Sequence, residues 1–533
     1  MSRPPSIPPS IPPSVPPSVH DLGLRPGDGP AELASAVDRL LGTFPQPPLL
    51  LGLGEPTHGV EVFPQLRNDM LMHLVHHHGY RSLAVESDWL AATAIDDHLT
   101  AGTGDLDQAL AIGFSHGWGT SPANRDLVVR LREHNARLDP ADQVRFHGFD
   151  APIEQGDTPS PRTALLAAHA YLTEHLPAHR VPYDTDTLRA LLGDDEPWAE
   201  PAAFMDPTRS VGDSERARTL RLAANDVLAV YESELPGLRR SDPAGGAFDT
   251  AFDRAFDRAY AHARTARGLL RYHAALASTA PDRMSVVLGV RGAMMAENLL
   301  ALAAADARRG PCLVFAHNIH LQRNLSVMAF AGTELRWWSA GALVAASAVG
   351  DRYAFVAAHL DPSVLPDPVP MSHLTRDEAD WGGMDAIVFL GRKEAGRSGK
   401  NQGGPVAESG MTSHSTGEAS KGHRITVEQG TAHVRVVRDG QLLAESRRPL
   451  LLHETGLPVR YYLPPEDVRT EHLTASDTST HCPFKGDASY WSLPGGADLV
   501  WAYQDPKPEV AAIKGHFCFY DTEVVDTEVV EGE

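Results

Sequence analysis

The sequence of 533 residues has few cysteines, no basic cluster and no long apolar run, and each absence excludes a class of protein. Its three cysteines, Cys312, Cys482 and Cys518, are far apart and form no CxxC pair, so neither a disulfide framework nor a thiolate zinc site is indicated. The formal net charge is −22 and Lys/Arg clusters are missing, which argues against nucleic acid or an anionic membrane as a partner. No apolar run is long enough to span a membrane. We therefore expect a cytoplasmic protein.

Composition changes along the chain predict two folded domains bordered by polar segments. Residues 1–29 begin with a Pro-Pro-Ser-aliphatic repeat, which indicates a disordered leader because dense proline favours extended polyproline II. The Gly/Ser-rich residues 393–420 have the composition of a linker. An acidic tandem repeat at residues 522–533 predicts a disordered tail. The folded domains are then expected at 30–392 and 421–521.

Short apolar runs separated by helical stretches predict an α/β fold for the first domain. Such near-continuous apolar runs are typical of parallel strands buried on both faces, so we expect a mainly parallel sheet flanked by helices. The runs are PPLLLGLGE at 47–55, SLAVESD at 82–88, VRFHGFDAP at 144–152, CLVFAHN at 312–318 and DAIVFLG at 385–391.

The strand pattern disappears between about 160 and 280, where long helical periodicities predict an inserted helical subdomain. Phe248, Phe252, Phe256 and Tyr260 recur at every fourth position and are expected to be its packing stripe. The second domain, by contrast, alternates with the two-residue period of antiparallel strands, and Asp439-Gly440 has the form of a hairpin turn. A small antiparallel all-β domain is therefore predicted.

Ionisable residues follow four of the predicted parallel strands. Ligands of parallel α/β sheets bind beyond the carboxyl ends of the strands, where the loops converge. Imidazole and carboxylate groups gathered there predict a functional cleft. The residues are Glu55 and His58, Glu86 and Asp88, Asp150, and His317 and His320.

Five linked blocks resemble the erythromycin esterase family. They are GEPTHGVEVFPQLRNDML, AVESDW, RFHGFD, MMAENLL and LVFAHNIHLQR, and the similarity extends over about residues 40–392. The resemblance implies an α/β core with a helical insertion and a hydrolase that opens a macrolide lactone by water attack. It also implies that no metal, cofactor or serine nucleophile takes part, and that the activity could confer antibiotic resistance.

The resemblance carries the family's conserved site onto Glu55, His58, Arg67, Glu86 and His317. A histidine with a pKa near neutral suits the removal of a proton from water, and a carboxylate can orient it, so we expect His58 to be the general base and Glu55 or Glu86 its partner. Arg67 and His317 are expected to stabilise the oxyanion or to protonate the leaving alkoxide. Without the resemblance, Arg67 would be interpreted as a solvated surface residue.

Other residues of the same blocks are expected to line the site, namely His320, Asn318, Arg291 and Glu297. The chain departs from the family at Arg291-Gly292, where the family commonly has Arg-Asp. The segment FSHGWGTSPANRD also differs from the Trp-rich version of characterised macrolide-resistance members. These departures leave the identity of the ester open.

Two rival chemistries remain open. Gly113-Phe114-Ser115-His116-Gly117 matches the GxSxG elbow of serine hydrolases, but that turn requires a buried strand before it, and the preceding DLDQALAI predicts a helix or loop. The histidines and carboxylates at the strand ends are also suitable metal ligands, although no HExxH or other compact spacing occurs. The triplet at residues 76–78 cannot converge on one ion, because consecutive helical residues point about 100° apart.

The second domain resembles the bacterial domain-of-unknown-function family 427 through RRPLLLHETGLPVRYYLPPEDVR and THCPFKGDASYWS. That resemblance implies a small antiparallel β fold and no established activity, so we expect an accessory or ligand-binding role. For the whole chain we expect hydrolysis of a small-molecule ester or lactone. Hydrolysis of an unrelated metabolite ester and a non-catalytic binding or biosynthetic accessory role are the alternatives.

Overall fold

The structure is a computed structural model that divides the chain into two compact units, one made mainly of residues up to 390 and the other mainly of later residues. The predicted linker and most of the predicted leader lie outside the described residues, as do the predicted boundaries at 392 and 421. The described residues are 20–22, 29–102, 104–154, 158–238, 251–306, 309–330, 333–360, 383–390, 425–430, 433–438, 441–454, 459–482, 484–493, 496–519 and 526–530.

The first unit is built on a seven-stranded sheet in which the neighbouring strands are parallel. The strands up to residue 390 are β1 (His20–Asp21), β2 (Leu50–Glu55), β3 (Ser82–Asp88), β4 (Arg145–Asp150), β5 (Cys312–His317), β6 (Ser326–Phe330), β7 (Thr333–Trp337), β8 (Tyr353–Leu360) and β9 (Ala386–Leu390). The order across the sheet is β1-β9-β8-β2-β5-β3-β4, while β6 and β7 form a separate two-stranded sheet. All five predicted apolar runs are strands of the large sheet, and β1 and β8 are additional to them.

Helices surround this sheet and fill the interval between β4 and β5. They are α1 (Pro30–Leu41), α2 (Val62–His77), α3 (Thr93–Ala101), α4 (Leu106–Gly113), α5 (Pro122–Asn135), α6 (Arg162–His175), α7 (Thr185–Leu192), α8 (Glu215–Ser233), α9 (Leu235–Leu238), α10 (Ala251–Leu276), α11 (Arg283–Asp306), α12 (Asn318–Leu321) and α13 (Ala340–Ala345). Helices α6 to α10 share an apolar core in which Phe256 is buried and Tyr260 packs at the margin, as a packing stripe requires. Phe248 and the side chain of Phe252 lie outside the described residues.

The strand register brings the ends of distant chain segments together. Along β2 and β5 the pairing runs from Leu50 with Cys312 to Glu55 with His317. All six residues of each of these strands are buried, as the near-continuous apolar runs predict. The carboxyl ends of β2 and β5 are therefore adjacent, although more than 250 residues separate them in the sequence.

One helix, α11, has the length and composition of a membrane span, so the expectation that no segment could cross a membrane is wrong on those two criteria. The stretch Arg283–Ala305 has a mean hydropathy of 1.5, but half of it is buried inside the protein. Met295, Leu299 and Leu302 belong to the apolar core that includes Val314 of β5. The core helices of globular proteins can have the same length and composition, and α11 packs as a core helix does.

The second unit consists of small antiparallel sheets. Its strands are β10 (Ile425–Gln429), β11 (His433–Arg438), β12 (Gln441–Ser446), β13 (Leu450–Glu454), β14 (Arg460–Tyr462), β15 (Thr474–Cys482), β16 (Gly486–Leu493), β17 (Gly496–Tyr503), β18 (Phe517–Phe519) and β19 (Asp526–Val530). The sheet orders are β10-β13-β14, β12-β11-β19 and β15-β16-β17-β18. Strands β11 and β12 pair as a hairpin requires, and the turn residues Asp439 and Gly440 lie outside the described residues. The predicted fold class, parallel α/β with a helical insertion followed by an all-β domain, is confirmed.

Short strands occur in both segments that the sequence predicts to be disordered. In the acidic tail, β19 pairs with β11, and Val529 lies opposite the fully buried Val434. At the end of the leader, β1 pairs with β9 and is followed by the buried Leu22. In each case the backbone pairs with a strand from a distant part of the chain, a tertiary effect that composition does not reveal.

Candidate active site

Glu55 and His58 form a hydrogen-bonded pair at the carboxyl end of β2. Glu55 is the last residue of the strand and is buried, whereas the His58 side chain is 38% exposed. The Nδ1 atom of His58 lies 2.7 Å from Oε1 of Glu55. An ionised carboxylate can only accept, so Nδ1 carries the proton and Nε2 is left with its lone pair. Gly59, with φ of 80°, provides the left-handed turn that follows His58.

Glu86, on β3, is contacted by four groups. Its Oε2 accepts a hydrogen bond of 2.9 Å from the backbone N–H of His317. Its Oε1 lies 3.2 Å from Nε2 of His320, 3.3 Å from Arg291 and 3.9 Å from Nε2 of His58. Burial raises the pKa of Glu86, but the charges of His320, His58 and Arg291 outweigh burial and hold the pKa well below its usual value. Glu86 is therefore an anion at neutral pH.

Burial and the two carboxylates act in opposite directions on His58. Burial lowers its pKa, whereas the charge of Glu86 and the hydrogen bond and charge of Glu55 raise it, and the net pKa lies above the ordinary value of 6.5. Burial raises the pKa of Glu55, and the hydrogen bond from His58 offsets part of that increase. These shifts favour a His58 imidazole that accepts a proton readily, because the imidazolium lies close to the carboxylates of Glu55 and Glu86.

Arg67, in α2, is fully buried rather than solvated, so the interpretation that sequence alone would favour is wrong. Its guanidinium donates to Oδ1 of Asn68 at 2.7 Å and to Oδ1 of Asn124 at 2.9 Å, and lies 5.0 Å from the ring centre of Phe315. Burial lowers its pKa to about 10, while the charge of Glu55 partly opposes the decrease. Arg67 therefore remains a cation at neutral pH and is held by amide oxygens.

The His317 ring has a hydrogen bond at each nitrogen. Its Nε2 lies 2.9 Å from the carbonyl oxygen of Pro56, to which it donates, and its Nδ1 accepts a hydrogen bond of 3.1 Å from the backbone N–H of Ile319. These two partners define a neutral imidazole with the proton on Nε2. The ring thus joins the start of α12 to the turn that carries His58, and its backbone N–H also binds Glu86.

His320 and Arg291 complete the group around Glu86. His320 is buried, and among the described residues its Nδ1 has no hydrogen-bond partner. Arg291, from α11, forms a two-pronged ion pair with Asp150 at the end of β4, with Nε 3.0 Å from Oδ1. Burial lowers the pKa of Arg291, but the pairing with Asp150 outweighs burial and raises it. Asp150 therefore balances the charge that Arg291 brings to Glu86.

Two of the expected lining residues have other roles. The Asn318 side chain donates to the carbonyl oxygen of Ala358 at 2.9 Å, and so fastens α12 to β8. Glu297 lies 2.6 Å from Arg267 on α10 and 3.7 Å from Arg271. The described contacts of these two residues are thus with the scaffold.

Ser115 lacks the setting of a nucleophile elbow. The segment before it is the helix α4, as predicted, and not a buried strand. Its Oγ accepts a hydrogen bond of 2.9 Å from the backbone N–H of Asp88, and its own N–H donates to Oγ of Ser87 at 3.2 Å. Ser115 therefore joins the loop after α4 to the end of β3.

A pocket with an empty volume of about 480 Å³ adjoins these groups. Glu55, Glu86 and Arg67 supply its charged wall, whereas Phe114 and Trp118 contribute aromatic surface. The Trp118 ring lies 4.8 Å from the His58 ring, between centroids. In the sequence, the segment that contains Trp118 and Asn124 is seen only as a departure from the family pattern. The signal that could have placed it at the site is the aromatic residue directly after Gly117. Aromatic surface beside a few charged groups is the kind of lining that small-molecule sites have.

Within the described residues, the side chains that could together bind a metal ion do not belong to this pocket. Among the described residues, one group of at least three His, Cys, Asp or Glu side chains has its donor atoms within 4.8 Å of one another. This group is Asp38, His73 and His78. At the pocket, the Arg291 guanidinium lies against the carboxylate oxygen of Glu86 that a metal ion would share. The expectation that the reaction uses no metal or cofactor stays a prediction.

The fold and the site define an α/β protein with a cluster of histidines and carboxylates at the carboxyl ends of its strands. The sequence profile of erythromycin esterase matches residues 75–365, more than half of the chain. The chain belongs to the erythromycin esterase family, and membership of this family suggests an ester hydrolase. The profile of the domain of unknown function DUF427 matches residues 426–531, so both resemblances are confirmed. Glu55, His58 and Arg67 precede the first matched region.

The chain is distantly similar to three solved structures. A Bacillus cereus protein is 18% identical, with a TM-score of 0.46 over 65% of this chain and 72% of that one. A succinoglycan biosynthesis protein is 15% identical, with a TM-score of 0.44 over 63% and 71%. A mutant of erythromycin esterase EreC in its open conformation is 18% identical, with a TM-score of 0.45 over 64% and 77%. No curated protein matches the chain.

Proposed function

We propose that the protein hydrolyses a carboxylic ester, with His58 as the general base that activates water. The observation that carries this proposal is the paired contact of its ring. Nδ1 is 2.7 Å from Glu55, and Nε2 faces Glu86 at 3.9 Å beside a pocket lined by charged and aromatic side chains. Because 3.9 Å is too long for a direct hydrogen bond, a water molecule within reach of Nε2 and Glu86 is the proposed nucleophile.

The proposed reaction needs no covalent enzyme intermediate. Nε2 of His58 takes a proton as the water oxygen bonds to the ester carbonyl carbon, and Glu55 and Glu86 stabilise the imidazolium that forms. Arg67, a fixed cation in the pocket wall, is the proposed partner of the tetrahedral oxyanion. The carbon–oxygen bond to the alcohol then breaks, and the leaving alkoxide takes the proton back from His58.

His317 is proposed to position the site rather than to act as its acid. Both of its ring nitrogens are engaged, so protonation would cost the hydrogen bond from Ile319. Its ring holds the carbonyl of Pro56, two residues before His58, and its N–H holds Glu86. Protonation of the leaving group, one of the two roles expected from the resemblance for Arg67 and His317, is thus proposed for the His58 imidazolium instead.

A macrolide-type lactone is the proposed substrate, with antibiotic resistance as the consequence. Family membership supports this choice. The segment that departs from the family contributes Phe114, Trp118 and Asn124 to the pocket, and this observation favours an unrelated metabolite ester as the second candidate. A cytoplasmic location and the absence of a cofactor belong to both proposals.

The decisive experiment compares His58→Ala and His58→Gln with the full-length wild type on a panel of lactones and simple esters. Mass spectrometry records the gain of one water, and circular dichroism checks the fold. His76→Ala, an exposed imidazole on α2, is the matched control and should retain wild-type activity. Activity lost in both His58 variants supports the proposal. Unchanged cleavage in those variants would overturn the base, and a wild type inactive on the whole panel would favour a binding role.

A further inference from the structure

We propose that Asp38, His73 and His78 bind one divalent transition-metal ion of the zinc class, outside the candidate active site. The Nε2 atoms of His73 and His78 each lie 2.7 Å from the same oxygen, Oδ1 of Asp38. Two imidazole nitrogens and a carboxylate oxygen therefore converge on one point between α1 and α2. No part of the proposed ester hydrolysis uses these residues.

The end of α2 explains how the two histidines converge. His73 lies within the helix, whereas His78 is the residue after its end, with φ of −123° and ψ of 9°. Five residues apart on a continuous helix, the two side chains would diverge by about 140°. The chain leaves the helix at His78, which turns that ring back towards His73, and the two ring centres are 5.3 Å apart. Of the triplet at 76–78, only His78 takes part.

The donor set suits zinc-like ions rather than hard cations. Zn²⁺ prefers imidazole nitrogen with a carboxylate, and Mg²⁺ requires mostly oxygen ligands. Ligand atoms around tetrahedral zinc are about 3.3 Å apart. Side-chain rotations that move the ligand atoms by about half an ångström would lengthen the present 2.7 Å contacts between the Nε2 atoms and Oδ1 enough to fit the ion. Each imidazole would then carry its proton on Nδ1 and present Nε2 to the metal.

Charge and exposure are compatible with an ion that keeps water ligands. The Asp38 carboxylate supplies an oxygen ligand of opposite charge to the ion, between the two imidazoles. The Asp38 side chain is 54% exposed, His78 28% and His73 14%, which leaves an open side for solvent. The competing interpretation is a hydrogen-bonded clamp between α1 and α2 that binds no ion.

Calorimetric titration of the full-length protein with Zn²⁺ in a weak competing chelator separates these interpretations. The competitor is necessary because the chain has 26 histidines that give weak background binding. We expect one site in the wild type, and an affinity at least about tenfold lower in His73→Ala, His78→Ala and Asp38→Asn. Mg²⁺ should give no signal.

His76→Ala is the control, because its ring packs against His134 at 5.3 Å and lies outside the three-residue group. This variant should bind Zn²⁺ like the wild type. Titration with Co²⁺ adds a spectroscopic readout, since a tetrahedral complex has strong visible bands that the three ligand variants should lose. Absence of a chelator-resistant site in the folded wild type, or equal affinity in the ligand variants, overturns the proposal.

Discussion

Replacement of Glu86 by glutamine tests whether this buried anion sets the basicity of His58. The substitution removes the charge but keeps an oxygen that can accept the hydrogen bond from the His317 backbone. Glu86 is the largest of the influences that raise the pKa of His58. Without that charge the imidazolium is less favoured, so the pKa of His58 should fall.

The size of the effect follows from the separation of the two groups. Unit charges 3.9 Å apart attract by about 1 kcal/mol at the dielectric of water and by about 4 kcal/mol at an effective dielectric of 20. Because 38% of the His58 side chain is exposed, the lower part of that range applies, about 1–2 kcal/mol. Loss of this stabilisation from a transition state that contains the imidazolium should lower kcat/KM about tenfold.

The assay has a part that needs no substrate. An NMR titration of the His58 ring should show a lower pKa in Glu86→Gln, and the acidic limb of any ester hydrolysis profile should move to lower pH, because the base is deprotonated earlier. Glu297→Gln is the control, since Glu297 contacts Arg267 and Arg271. A folded Glu86→Gln protein whose His58 titrates at an unchanged or higher pH would refute the reasoning.

Two further predictions concern the serine and the sheet. Ser115→Ala should retain ester hydrolysis within about threefold, because its hydroxyl accepts a backbone hydrogen bond instead of facing a base; loss of activity in a folded variant would restore the serine mechanism. Asp96→Asn should lower the free energy of unfolding at neutral pH by about 3–5 kcal/mol in urea titrations, because it leaves the buried Arg145 without its anion. Burial raises the pKa of Asp96, but Arg145 outweighs burial and lowers it from 3.8 to about 2, so this stability is fully present above pH 3.8 and is lost as pH falls through 2; a difference that is undiminished at pH 2 would contradict the assignment.

The buried strands could be predicted because an apolar run between turns is a local signal. One exception is β8, whose sequence YAFVAAHL has three alanines among its eight residues and follows another alanine-rich stretch, so its local preference is for a helix. It is a strand because it pairs with β2 on one side and β9 on the other. Such pairing overrides local propensity and is not visible in a single segment.

The sequence allowed the place of the site in the fold to be predicted, but fewer of the contacts of its residues. Strand ends in a parallel sheet meet at one edge, which is why Glu55, Glu86 and His317 could be expected to lie together. The burial of Arg67 could not be predicted, because its partners Asn68 and Asn124 reveal their orientation only after α2 and α5 pack. Residue roles drawn from the resemblance are untested by the structure and stay proposals.

The position of β5 has a consequence for folding. In the sheet it lies between β2 and β3, which are consecutive along the chain, and it arrives only after the helical insertion has been synthesised. The hydrogen bonds of His317 to Glu86 and Pro56 span 231 and 261 residues. Closing such long loops is entropically costly and slow, so the contacts that join His317 to Glu86 and to the β2 turn form only once β5 has entered the sheet. A nascent chain that has not yet incorporated β5 therefore has every residue of the β2 turn but no assembled centre.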